Sequence, residues 1–270
     1  ASWMPLISPV FRPVSKAEHG MNREDQQLIR RFSDLSRQAY QKNRVMFSDF
    51  LNMNELSLLY RGEKSYDTSF AVWGGYEYAE RQMVSFQPDA LYYEWQYPIV
   101  CLSFTPVNRR FAESLTHRDV LGAIMHLSIE RSKIGDILVR EDQVIVFCTE
   151  AVADVIREEL CQIRHTRVTG NVISGEQIHI VPDFEDCSGF VSSNRLDAFV
   201  AEICRFSRSQ AKEALQSEKI FINGKCMTDS SHKLAPGDVI SVRGFGKIIF
   251  DDFYGQSKKG RLGILYRKYK

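Results

Sequence analysis

Apolar residues near the start of the chain recur at helical steps. Leu28, Phe32, Leu35 and Ala39 stand four and three residues apart, which places one apolar stripe on one helix face. A second helix is predicted from Ser48 to Tyr60, with Ser48 as its N-cap and Phe50, Leu51, Met53 and Leu56 on the inner side. Residues 62 to 95 mix Gly62, Gly74, Gly75 and Pro88 with many aromatics, and the pattern there supports only short strands.

From Tyr97 to Pro182 the pattern is more regular. PIVCLSF (98–104) is β-branched and apolar, RDVLGAIMHLSI (118–129) has helical spacing, and DILV followed by VIVFCT (136–149) predicts a hairpin. AVADVIREELCQI (151–163) is again helical, and QIHIV (177–181) is a short strand. The order β-α-β-β-α-β is that of a ferredoxin-like (RRM-like) domain. A sheet of this kind carries RNA on its open face when aromatics stand on the central strands, so Phe104 and Phe147 are candidate stacking residues.

PDFEDCSGFVSSN (182–194) has the composition of a linker, and a different pattern follows it. Asn194 is placed to cap a helix in which Leu196, Phe199, Val200 and Ile203 share one face. Ser207 and Gln210 form an S-x-x-Q capping box, so a second helix starts at Arg208, with Ala211, Ala214 and Leu215 inside. That leaves Arg208 and Lys212 on the outer face, and Arg205 and Lys219 extend the same basic surface. IFI, Asn223-Gly224 and KCM predict a hairpin with a type I′ turn that sets Lys225 beside it. A later strand, after a Pro-Gly turn, ends in Arg243 and Lys247.

The expected organisation is therefore α+β. Residues 1–20 form a tag-derived or disordered leader with Met21 as the native start, and 21–95 form an N-terminal helical region. The ferredoxin-like domain occupies 96–182, a linker 183–194, and a further domain with a basic C-terminal tail 195–270. Charge sharpens this division. From Phe190 onward there are 15 Lys+Arg against 8 Asp+Glu, whereas residues 1–189 carry 20 against 26, so a polyanionic partner is expected for the last third only. The longest near-continuous apolar stretch, Tyr97 to Phe104, is far shorter than the ~18 residues of a spanning helix, so no membrane partner is expected. Six cysteines with no CxxC pair and no zinc spacing read as reduced thiols of a cytoplasmic protein.

RLDAFVAEICRFSRSQAKEALQSEKIFINGK followed by PGDVISVRG resembles the S4 (αL-type) RNA-binding domain over residues 195–247. The resemblance implies an RNA-facing side made of Arg195, Ser207, Arg208, Ser209, Lys212, Asn223, Lys225 and Arg243. GGYEYAERQMVSF (74–86) and HRDVLGAIMHLSIERSKIGDILV (117–139), placed before such a domain, are similar to the YlmH family of bacterial RNA-binding proteins. That likeness implies a monomeric, ribosome-associated protein that binds ribosomal RNA and tRNA on the large ribosomal subunit and acts in rescue or quality control of stalled ribosomes.

No catalytic residue, cofactor or metal site is expected. His117-Arg118-Asp119 resembles a kinase catalytic loop, but the asparagine such a loop needs five residues later is Ile124. Arg195-Leu196-Asp197 resembles a pseudouridine synthase motif, yet no synthase-sized domain follows it. The rival class is an RNA-modifying enzyme, of pseudouridine synthase or methyltransferase type, that docks through its S4 domain. Glu77, Glu80 and Arg81 are the one polar cluster available to it. A protein adaptor for cell division, whose binding resists nuclease, is the third reading.

Overall fold

Residues 23–174 and 183–269 are described by a computed structural model. The expected leader at 1–20 and the expected strand at 177–181 lie outside these residues. The chain begins with α1 (Arg23–Lys42), whose buried Phe32 and Ala39 carry the stripe seen in the sequence. The helix expected from Ser48 does not form. Met46–Leu51 is instead a strand, β1, and α2 (Met53–Arg61) follows it. Asn52 caps α2, accepting from the N–H groups of Asn54 and Glu55 at 2.9 and 3.1 Å, while the Glu55 carboxylate accepts from the Asn52 N–H at 2.6 Å. The misreading has a physical cause. Phe50 and Leu51 are both buried, in clusters on opposite sides of β1, so the strand lacks the alternation that would distinguish it from a helix.

β2 (Ser69–Trp73) and β3 (Gln82–Gln87) complete an antiparallel sheet in the order β1-β3-β2. The N-terminal region is thus α/β and not merely helical. α1 and α2 cover one face of this sheet through Phe32, Leu56 and Leu59 against Val84 and Phe86.

The next unit runs β4 (Ile99–Pro106), α3 (His117–Met125), β5 (Ile134–Val139), β6 (Val144–Thr149), α4 (Glu150–Glu159), β7 (Gln162–Ile163) and β8 (Thr166–Ile173). Its sheet order is β5-β6-β4-β8-β7, all pairs antiparallel, which is the ferredoxin-like arrangement with one short strand added at the edge. The last strand of the motif is therefore 166–173. Gly170 makes the fit, because a Cβ there would fall 2.6 Å from the Phe104 ring and 3.1 Å from the Arg157 carbonyl of α4.

One face of this sheet is closed by α3 and α4, and the other is closed over β5, β6 and the start of β4, while Arg167, Thr169 and Asn171 of β8 stay exposed there. Leu102, Phe104, Val144 and Val146 pack under Val120 and Ile124 of α3 and Ile156 of α4. Cys101, Ile145 and Phe147 on the other face meet Phe50, Tyr76, Ala79 and Met83 of the N-terminal unit. The loop from Gly74 to Arg81 fastens this second contact. Tyr76 lies on Phe147 with centroids 5.0 Å apart and 19° between planes, and its hydroxyl donates to buried Asp136 at 2.8 Å. The N–H groups of Glu80 and Arg81 donate to the same carboxylate at 2.7 and 3.0 Å. The Arg81 guanidinium then reaches the carbonyls of Ile134 at 2.9 Å and Phe50 at 3.0 Å. Burial lowers the Arg81 pKa below its ordinary value, and burial together with Asp136 raises that of the Tyr76 phenol. Gly75 has φ +100°, and a Cβ on it would stand 2.5 Å from the Phe147 ring. Phe104 and Phe147, the expected stacking residues, are fully buried, so neither is a platform for a base.

The C-terminal unit has the strand order β11-β10-β12-β13-β14-β9. Its elements are β9 (Phe184–Val191), α5 (Leu196–Cys204), α6 (Arg208–Gln216), β10 (Ile220–Ile222), β11 (Lys225–Cys226), β12 (Val239–Val242), β13 (Gly246–Gln256) and β14 (Leu262–Tyr269). Two expectations change here. The supposed linker is the edge strand β9, paired with β14 from Phe184↔Tyr269 to Val191↔Leu262; its acids and serine are the polar residues that edge strands tolerate. The supposed basic tail is the hairpin β13–β14.

The clamp predicts a graded loss of stability in urea. Gly75→Ala adds strain and a clash, and is expected to cost about 1–3 kcal/mol. Asp136→Ala strands three donors and is expected to cost about 3 kcal/mol or more. Wild-type unfolding midpoints for both variants would show that the loop is not a clamp.

Candidate nucleic-acid interface

The basic residues of the C-terminal unit are placed by α5, α6 and the short strands beneath them. Asn194 does not cap α5 as expected. Its amide pairs with the Leu234 backbone, donating to the carbonyl at 3.4 Å and accepting from the N–H at 3.1 Å. The N-cap position belongs to Arg195, whose guanidinium holds the buried Asp197 carboxylate with two bonds, at 3.0 and 3.2 Å, and reaches Ser230 Oγ at 3.4 Å. Burial pushes the Asp197 pKa up, but hydrogen bonds and charge from Arg195 outweigh it and hold the pKa below its ordinary value. Arg195 therefore fixes the start of α5.

Arg205 ends α5 in the left-handed region, at φ 53°, and is exposed. Two residues later the expected capping box is present: Ser207 Oγ accepts from the Gln210 N–H at 3.2 Å, and the Gln210 side chain accepts from the Ser207 N–H at 2.8 Å. Burial of Ala211, Ala214 and Leu215 turns Arg208, Ser209 and Lys212 to solvent. Arg208 reaches the residue after β9, donating to Ser192 Oγ at 2.8 Å. Arg205, Ser207, Arg208, Ser209 and Lys212 so form one outward group at the N-terminal end of α6, where the helix dipole also favours an anion. Lys219 is exposed at the other end of α6.

The remaining predicted residues sit elsewhere. Asn223 and Gly224 have φ of 50° and 79°, as the type I′ turn requires. The Asn223 side chain is used internally, bonding Asp238 and the Val239 N–H, both at 2.9 Å. This hairpin abuts α2, with the Cys226 N–H on Ser57 Oγ at 3.1 Å and Arg61 on Glu218 at 3.1 Å. Arg243 donates to Asn54 and lies 5.3 Å over the Phe221 ring. Half-buried Lys225 and exposed Arg243 thus lie on the side next to the N-terminal unit. Lys247 is further inside, 3.5 Å from the Tyr78 carbonyl, 3.9 Å from Glu80 and 4.9 Å from the Tyr269 ring centroid; burial lowers its pKa.

Sequence reasoning missed Lys258, Lys259 and Arg261, which it left in a tail. Arg261 pairs with Glu202 of α5 at 3.0 Å and donates to the Phe190 carbonyl. Arg208, Ser192 and Arg261 line one shallow groove with Ala198, Ala201 and Phe206. The cluster Lys258-Lys259-Gly260-Arg261 was the available signal, since Gly260 at φ +72° marks a tight turn.

The competing chemistry has structural explanations. Asp119 belongs to the cap of α3, accepting from the Thr116 N–H at 2.9 Å and hydroxyl at 2.7 Å. Arg81 is consumed by the clamp, and Asp197 is buried under Arg195. Among the described residues no group of three or more His, Cys, Asp or Glu is placed to hold a metal ion. Among them, too, no helix is long and apolar enough to cross a membrane.

Three family models match successive parts of the chain. They are the N-terminal model of YlmH at residues 24–91, the YlmH RNA-binding-domain (RBD) model at 97–177, and the S4 domain at 194–240. A curated relative, the ribosome-associated protein quality control protein P2 of Bacillus subtilis (strain 168), is 28% identical over 252 residues, covering 92% of this chain and 96% of the relative. Among solved structures, a cell division protein ylmH from Streptococcus pneumoniae aligns with a TM-score of 0.49 and 21% identity, over 60% of this chain and 99% of that one.

The two arginines predict opposite behaviour. Arg208→Ala is expected to shift stability by no more than about 0.5 kcal/mol, as at an ordinary surface position. Arg195→Ala leaves Asp197 buried and unpaired and is expected to cost about 2 kcal/mol at neutral pH. The Asp197 pKa is depressed in the folded wild type, so its contribution is present above about pH 4 and fades as pH falls. With Arg195 gone, the Ala198 N–H and the Arg208 charge still favour the Asp197 carboxylate but burial opposes them, so less stability is lost through Asp197 on acidification and the gap from wild type is expected to narrow as pH falls. Parallel urea midpoints from pH 3 to 8 check this, and identical acid limbs would refute it.

Proposed function

The chain belongs to the YlmH family, and from that premise we propose that it is a ribosome-associated RNA-binding protein of ribosome quality control. The observation that carries this reading is the outward group Arg205, Ser207, Arg208, Ser209 and Lys212 at the start of α6. It projects three cations and two hydroxyls from a rigid helix pair, a set suited to backbone phosphates of folded RNA. The ferredoxin-like unit contributes through its rim and its β8 edge, because the central strands are covered; Arg109, Arg110, Arg118, Arg164 and Arg167 are exposed there.

The Bacillus subtilis relative is named for ribosome association and protein quality control, which supports assigning the same setting to this chain. In the finer reading the protein works in the cytoplasm as a monomer. It binds ribosomal RNA and tRNA on the large subunit, and it makes and breaks no covalent bond. Its effect then comes from affinity alone. A protein that binds one ribosomal state more tightly than another shifts the population toward that state, by no more than the difference in binding free energy.

Sedimentation through a gradient tests this. The full chain should travel with large ribosomal subunits at low salt and leave them as salt rises. Each phosphate contact adds about 0.7–0.9 to the log-log salt slope, on the scale for DNA strands. Arg208→Ala with Lys212→Ala should make the slope shallower by roughly 1.4–1.8 on that scale and leave most of the protein at the top of the gradient. If the wild type stays free of ribosomes at low salt, the assignment fails.

A further inference from the structure

The hairpin β13–β14 lies wholly after residue 240, where the S4 match ends, and it carries a surface that the α6 face does not explain. Gly263 is the key position. It sits in β14 between two partners, Tyr254 of β13 and Phe190 of β9. Residues paired in this way project to the same face of a sheet. A Cβ on Gly263 would clash with the Tyr254 carbonyl oxygen and fall 2.9 Å from its ring, so the missing side chain lets both the strand and that ring lie close, with the ring across the strand toward Phe190. The two rings meet with centroids 6.0 Å apart, and each residue remains more than a third exposed, at 36% for Phe190 and 38% for Tyr254. The next residue, Ile264, points the other way into the core and is fully buried.

Charge is arranged around this pair. Beyond it lies the hairpin turn, GQSKKGR (255–261), with Lys258, Lys259 and Arg261 and no acid. The acids of these strands are further back by register: Asp252 is opposite Leu265, Asp186 opposite Arg267 and Glu185 opposite Lys268, while Asp251 is held by Arg267 at 2.8 Å. The exposed rings and the lysines therefore share the acid-free end of the hairpin. That end adjoins the α6 face, because Arg208 bonds Ser192, one residue past β9, and Arg261 reaches the Phe190 carbonyl and Glu202 of α5.

We propose that Phe190, Tyr254, Lys258 and Lys259 form a second RNA contact, at the same end of the sheet as the Arg208 face and on its other side, that takes an unpaired nucleotide. The base stacks on the aromatic pair and the flanking phosphates meet the lysines. A base exposes its ring face only when it is unpaired or bulged, so this contact selects loops and junctions over continuous helix. The inference rests on the RNA-binding reading above and adds the class of RNA element that is bound.

Three double variants of the full chain separate the two. They are Phe190→Leu with Tyr254→Leu, Lys258→Ala with Lys259→Ala, and Arg208→Ala with Lys212→Ala. The probes are purified large ribosomal subunits and an RNA hairpin carrying 2-aminopurine in its loop. Stacking should quench the 2-aminopurine signal with the wild type and not with the leucine variant, whose affinity should fall about fivefold or more. The Lys258/Lys259 variant sits at an exposed turn and keeps the test open if the leucine variant folds poorly. It should make the salt slope shallower by about 1.4, the value for two phosphate contacts on single strands. If only the Arg208/Lys212 variant binds more weakly, the second contact does not exist and the RNA-binding reading stands. If all three bind like the wild type, both fall.

Discussion

One buried carboxylate decides which surfaces of this protein are left for a partner. Asp136 stands in an otherwise apolar strand and accepts three hydrogen bonds from a loop that lies 55 to 60 residues earlier in the chain. An ionised carboxylate out of water is costly unless its lone pairs are satisfied, so the Tyr76–Arg81 loop cannot leave without stranding it. With the loop in place, Tyr76 covers Phe147 and the N-terminal sheet covers the neighbouring positions of the central strands. A ferredoxin-like sheet that would otherwise present Phe147 is packed on both sides at its centre.

The same unit also constrains the C-terminal one. α2 packs against the Asn223-Gly224 turn, and Asn54, Ser57 and Arg61 bond Arg243, Cys226 and Glu218. These contacts occupy one side of the small sheet and leave the opposite side, with the start of α6 and the β13–β14 turn, facing solvent. The excess of positive charge after residue 190 is thus sorted by packing. Lys247 and Arg243 hold units together, Arg195 neutralises a buried acid, and Arg205, Arg208, Lys212, Lys258 and Lys259 remain exposed.

What was legible in the sequence was local. The Ser207–Gln210 capping box, the Asn223-Gly224 turn and the strand–helix order from Ile99 to Glu159 all follow from residues a few positions apart. β1 was hidden because both its faces are buried, and β9 because an edge strand tolerates the acids, serine and glycine that also mark a linker. The clamp could not be read, since its donors and acceptor are distant in the chain. Asp136 within IGDILV, and two glycines ahead of Tyr76, were its only traces. The contacts of the residues matched to the S4 pattern could not be read, because they too are distant in the chain: Asn223 bonds Asp238 and Val239 within its own unit, and Arg243 bonds Asn54 of the N-terminal one.

The central claim is that RNA meets the α6 side of the C-terminal unit and never the central strands of the ferredoxin-like sheet. Ultraviolet crosslinking of the full chain to purified large ribosomal subunits, with the crosslinked peptides identified by mass spectrometry, addresses it most directly. The account predicts crosslinks within 190–212 and 254–261 and none in β4 or β6. Crosslinks at Phe104 or Phe147, with residues 190–261 unmarked, would contradict it.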